Sequence, residues 1–128
     1  MVSGEAGFDL DAAGLRADGA DVAAGVEVLA TKLEAALPAE CRVTRRRRGF
    51  LGGRKFVEAI EVRLGDMRYA LRMRDGSVDA TREQEVRGVV IKREPLDLAA
   101  WVQALGDQLA DQARTSAGAR AALDRLLG

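Results

Sequence analysis

Catalytic chemistry in a small protein usually starts from a histidine, an activated cysteine or a clustered set of carboxylates. This chain has no histidine, the residue most often set beside a nucleophile as general base. Its single cysteine, Cys41, is followed by Arg42, a cation able to lower a thiol pKa. Neighbours in a strand point to opposite faces, so Cys41 reads as a buried structural residue. A single cysteine also excludes an internal disulfide and a multi-cysteine metal site. Gly49, Gly52 and Gly53 do not make a phosphate-cradling loop, which ends in Lys-Ser or Lys-Thr. The carboxylates lack the spacing of a calcium loop. No catalytic, cofactor-binding or metal residue is assigned, and the expectation is that the protein is not an enzyme.

The chemistry left is that of arginine. There are 17 Arg, three Lys and no Asn, a balance that a GC-rich genome produces and that also suits anion recognition, because the guanidinium fork matches carboxylates and phosphates. Formal charge totals zero but is unevenly spread. Residues 1–40 carry two basic and eight acidic side chains, residues 41–94 fifteen and eight, and residues 95–128 three and four. The sums are −6, +7 and −1: an acidic arm precedes a basic centre.

Glycine turns position those arginines. Gly52-Gly53, Gly65-Asp66 and Asp75-Gly76 are pairs that tight hairpins favour, since such turns need positive φ. The first predicts Val43 opposite Val62 and Cys41 opposite Leu64. The second sets Leu64 opposite Met67, Val62 opposite Tyr69 and Ile60 opposite Leu71. The third sets Met73 opposite Val78 and Leu71 opposite Ala80. All three put Cys41, Val43, Ile60, Val62, Leu64, Met67, Tyr69, Leu71 and Met73 on one core face, which a one-residue slip would scramble. A last strand, Val86 to Glu94, is expected to turn near Gln84-Glu85, bringing Val89 and Ile91 to the same face.

The opposite face then carries Arg42, Arg63 and Arg68 in one row, with Arg46 near Arg72 and Arg48 near Arg74. Like charges directly opposite destabilise a sheet. The row therefore needs solvent, carboxylates such as Glu61 and Asp79, or an anionic partner. At the hairpin tip, Arg45 to Arg48 and Arg54-Lys55 flank Gly49-Phe50-Leu51-Gly52-Gly53. Such a tip could enter a protein groove, lie on an anionic membrane surface or hold a phosphate backbone. Equally, Phe50 and Leu51 could fold back onto the domain.

Helices flank the sheet. Val22, Val26, Leu29, Leu33 and Ala36 recur at helical spacing over residues 21–37, with Asp21 as cap and Pro38 as stop. A short helix or frayed extension is expected at 9–17, and disorder at 1–7. A second helix is expected over about 97–127, capped by Asp97, with a stripe of Leu98, Val102, Leu105 and Leu109 resuming at Ala119, Leu123 and Leu126. A bend or break is expected from Thr115 to Gly118, and Trp101 is a core anchor. The fold class is α+β: a five-stranded antiparallel meander, about 41–94, with both helical ends packed on one sheet face in two layers. Residues 8–128 form a single domain.

The run VRGVVIKREPLDLAAWVQAL, from Val86 to Leu105, resembles small actinobacterial proteins in which a strand ending in Lys-Arg-Glu leads into a Trp-containing helix. The resemblance covers most of the chain and implies no activity, cofactor or site residue. In architecture, helix–meander–helix resembles type III secretion chaperones and small nucleoid-associated proteins, an analogy of fold alone. With no signal peptide or membrane span to read, a cytoplasmic location is expected. The expected function is a non-catalytic protein–protein interaction or adaptor module, self-associating as a homodimer or larger homo-oligomer. The acidic arm of one copy would meet the basic face of another. The alternative is sequence-tolerant nucleic-acid binding through the same face and tip. The candidate contact residues are Arg42, Arg46, Arg48, Phe50, Leu51, Arg54, Arg63, Arg68, Arg72 and Arg74.

Overall fold

The structure is a computed structural model that describes the backbone of residues 19–47, 53 and 55–128, and the side chains from Asp21 onward within that set. Arg48, Phe50, Leu51 and Arg54, and the elements expected over residues 1–17, lie outside the described residues. Helix α1 (Gly19–Ala36) leads into five strands, β1 (Cys41–Arg47), β2 (Lys55–Leu64), β3 (Met67–Arg74), β4 (Ser77–Val86) and β5 (Val89–Leu96). Helices α2 (Leu98–Ala113) and α3 (Ala117–Leu127) follow. The strands form one antiparallel sheet in the order β1-β2-β3-β4-β5, the expected α+β meander.

Two hairpins close in the predicted register. Leu64 faces Met67 and Ile60 faces Leu71; Met73 faces Val78 and Leu71 faces Ala80. Gly65 (φ 62°), Asp75 (φ 43°) and Gly76 (φ 81°) supply the positive φ these two-residue loops need.

The other two registers differ from expectation. Cys41 faces Val62 rather than Leu64, and Val43 faces Ile60 rather than Val62. The shift is two residues, so the apolar face is kept. Beyond it a bulge intervenes: Thr44 faces Ala59 but Arg45 faces Val57, leaving Glu58 as the extra residue. Helix α1 completes the irregularity, because the Val57 N–H donates to a Glu27 carboxylate oxygen at 2.6 Å. Between β4 and β5 the turn falls at Arg87-Gly88 (φ 55° and 82°), not at Gln84-Glu85. A second bulge skips Ile91, since Gln84 faces Lys92 and Glu85 faces Val90. Val89 and Ile91, expected in the core, are 60% and 58% exposed.

The three described helices cover one sheet face, α1 over β1 and β2, α2 over β4 and β5, with α3 against both α1 and α2. The core joins Val22, Val26, Leu33, Ile60, Val62, Tyr69, Leu71, Trp101, Leu105 and Leu109. Trp101 is fully buried; its indole N–H donates to the Thr81 carbonyl at 3.1 Å, and its ring meets Tyr69 edge-on with centroids 6.2 Å apart. The Tyr69 hydroxyl donates to Gln108, whose amide donates to the Leu64 carbonyl at 3.0 Å. The buried stripe of α2 is Trp101, Leu105 and Leu109; Val102, predicted on it, is 41% exposed.

Asp97 caps α2 by accepting from the Ala100 N–H at 2.7 Å. The predicted C-terminal helix is divided after Ala113, and Ser116 caps α3 by accepting from the Ala119 N–H at 3.2 Å. Asp21, expected as a cap, lies within the first turn of α1. No described helix is long and apolar enough to cross a membrane.

Candidate functional site

With every described helix on one face, the other forms, among the described residues, an open groove of about 640 Å³. Strand alternation brings three rows across it. The first is Thr44–Ala59–Arg72–Asp79 and the second Arg42–Glu61–Ala70–Thr81–Pro95. The third is Arg63–Arg68–Glu83–Arg93. Ala59, Ala70 and Thr81 give the floor short side chains, and arginines rim it.

The predicted row of three arginines is broken by the corrected register. Arg63 and Arg68 are cross-strand partners, but Arg42 faces Glu61. Thr44, not Arg46, shares the row of Arg72. Four of the six described candidate arginines are already paired. Arg68 donates to Glu83 through Nε at 3.0 Å and also through Nη2, and lies 3.3 Å from Glu61. Arg63 approaches Glu85 at 3.4 Å and Glu61 at 3.7 Å. Arg74 meets Asp79 at 2.6 Å and Arg46 meets Glu58 at 2.9 Å. Arg45, of the basic run, bonds to Glu34 of α1 by a two-pronged contact at 2.7 and 2.9 Å. That bond holds the Glu34 carboxyl below its ordinary range.

Glu83 is the buried carboxylate of the groove, 3% exposed, and alternation alone gave no reason to single it out. It takes hydrogen bonds from Arg68 on one side and from Arg93 Nε, at 2.5 Å, on the other. Burial pushes its carboxyl upward, but the two guanidinium contacts outweigh this and the net direction is down. Arg93 was missed with it. Gly88 signals the turn, but a regular two-residue turn at Arg87-Gly88 sets Lys92 opposite Glu83, and only the bulge at Ile91 brings Arg93 there.

Two groove arginines remain, Arg42 and Arg72. Both are exposed, and among the described residues neither has a carboxylate within ion-pair distance. They sit two strands and two residues apart, so roughly 12 Å between Cα atoms from ordinary strand spacing and rise. Two arginine side chains span that gap, so both can reach a ligand lying over Ala59 and Ala70. The groove lining holds five arginines against three carboxylates, a surplus of two.

Cys41 lies on the covered side, half-buried. Burial first, then the Glu34 charge, pushes its thiol up to about 11, against the opposing pull of Arg45. No group of three or more potential metal ligands occurs among the described residues. In comparisons with known proteins, no family model, no curated protein and no solved structure matches the chain.

Proposed function

We propose that this protein is a non-catalytic protein-interaction module that docks an acidic, extended segment of protein in its open sheet groove. The observation that carries the reading is the pair Arg42 and Arg72, cations without a described carboxylate partner on either side of a floor of small side chains. An extended segment is the right shape for a sheet groove, and side-chain carboxylates match the guanidinium fork. The paired arginines around them hold the rim in place, leaving little to reorganise on binding.

Duplex nucleic acid fits this face less well. Affinity for a phosphate backbone grows with the number of free cations, and the groove has a surplus of two. Its lining contains no aromatic side chain for base stacking.

The test is a fluorescence-anisotropy titration with a labelled decamer of alternating Glu and Ala, at 20 and 150 mM salt. Saturable binding is expected at low salt, weakened at least tenfold by Arg42→Glu with Arg72→Glu in a chain whose circular dichroism is unchanged. Equal binding by the parent and the double variant refutes the reading. So does preference for a duplex DNA of matched charge.

A further inference from the structure

We propose that the groove selects a phosphorylated form of the segment it docks, with Arg42 and Arg72 closing together on one phosphorylated side chain. The inference rests on the reading of the groove as a docking site and names the group that these two arginines hold.

The ion pairs leave the two cations free although each has a carboxylate beside it. Arg42 lies directly opposite Glu61, and Arg72 directly opposite Asp79. Glu61 turns instead to Arg68 at 3.3 Å and Arg63 at 3.7 Å, and Asp79 to Arg74 at 2.6 Å. The third carboxylate of the lining, Glu83, is held between Arg68 and Arg93. Every carboxylate of the groove is thus engaged elsewhere, and among the described residues none answers the charge of Arg42 or Arg72.

The geometry lets both guanidiniums reach one point. Their Cα atoms lie roughly 12 Å apart across β2, so each has to cover only half the gap, less than the length of an extended arginine side chain. The meeting point is above β2 beside Ala59, which faces Arg72 and whose methyl group leaves the space open. A phosphate monoester there carries about −1.5 to −2 at pH 7 and presents three acceptor oxygens. That charge matches the groove's surplus of two, and the oxygens suit two guanidinium forks at once. A single carboxylate brings one charge and two oxygens, enough for one fork. A second carboxylate further along the segment has to be ordered separately, which costs another side chain its freedom.

The experiment is a fluorescence-anisotropy titration of the full-length protein at 20 mM salt with three labelled decamers of Ala and Glu. They differ only at the centre, which holds phosphoserine, Glu, or two adjacent Glu that match phosphoserine in charge. The parent is expected to bind the phosphoserine peptide at least tenfold more tightly than either of the others. That preference should shrink between pH 7.5 and pH 5.5, as the phosphate takes up its second proton near pH 6. Arg42→Lys with Arg72→Lys keeps both charges without the forks, and should remove the preference while leaving Glu-peptide binding in place. Equal affinity of the parent for the phosphoserine and paired-Glu peptides overturns the inference and leaves the docking reading intact. Absence of binding to all three peptides overturns both. A preference that survives Arg42→Glu with Arg72→Glu, in a chain whose circular dichroism is unchanged, puts the phosphate elsewhere and overturns the assignment.

Discussion

Glu83→Gln tests the electrostatic centre of the groove while barely changing its shape. The carboxylate is 3% exposed and accepts from Arg68 Nε at 3.0 Å, from Arg68 Nη2, and from Arg93 Nε at 2.5 Å. Hydrogen bonds to charged groups each contribute about 1.5–3 kcal/mol, but much of that sum is recovered in the variant. Glutamine keeps one acceptor oxygen. Arg68 retains Glu61 at 3.3 Å and Glu85 at 3.9 Å. Arg93, 65% exposed, returns to water. A net loss of about 2 kcal/mol at pH 7 is expected, or roughly 7 °C in Tm for a chain of this size. Urea titration should show the midpoint falling at constant slope.

The pH dependence gives a sharper check. The folded-state carboxyl of Glu83 lies below its ordinary 4.5. Its stabilisation is therefore complete above that value and lost as pH falls through the folded-state value. The gap between parent and variant should be constant from pH 6 to 8, narrow below about pH 4.5 and close in stronger acid. A pH-independent gap, or one under about 0.5 kcal/mol at neutral pH, refutes the reasoning.

Further expectations follow from the core and turns. Trp101→Phe should cost about 2 kcal/mol by circular dichroism, since it leaves the Thr81 carbonyl without its indole donor at 3.1 Å and opens space beside Tyr69. Gly88→Ala should cost about 1 kcal/mol from backbone strain alone, because a Cβ there meets nothing within 4 Å but sits at φ 82°. Arg87→Gly, at φ 55°, should stabilise by up to about 0.5 kcal/mol in the same assay. With its thiol pushed up from 9.0 to about 11, Cys41 should react with iodoacetamide at pH 8 about 100-fold more slowly than an unperturbed thiol.

The parts of the fold legible in the sequence are those whose register a short turn sets. Gly65-Asp66 and Asp75-Gly76 leave no slack, so Val62 facing Tyr69 and Leu71 facing Ala80 follow directly. Between β1 and β2 the connection is longer and Glu58 bulges, and alternation cannot locate an inserted residue. Alternation near Val89 to Ile91 imitates a core strand, whereas the turn rests on Arg87 at positive φ, a residue type that gives no turn signal. The candidate face suffered accordingly. Its arginines could be assigned to one side, but which carboxylate each meets depends on register, so Arg42 falls opposite Glu61 and Glu83 stayed unnoticed.

The order of strands in the sheet is also their order in the chain. Strands β2 to β5 follow one another across two-residue turns and β1 lies seven residues from β2, so the sheet assembles from contacts close in sequence, the kind that fold fast. One closure is different. Helix α3 packs against α1, joining the two ends of the described chain around a finished sheet, and long loops are the entropically expensive ones to close. That seam is then the last part of the domain to form and the first to open. Hydrogen exchange should find Ala122 and its neighbours in α3 far less protected than the amides of β3, and equal protection would mean that the domain opens only as a whole.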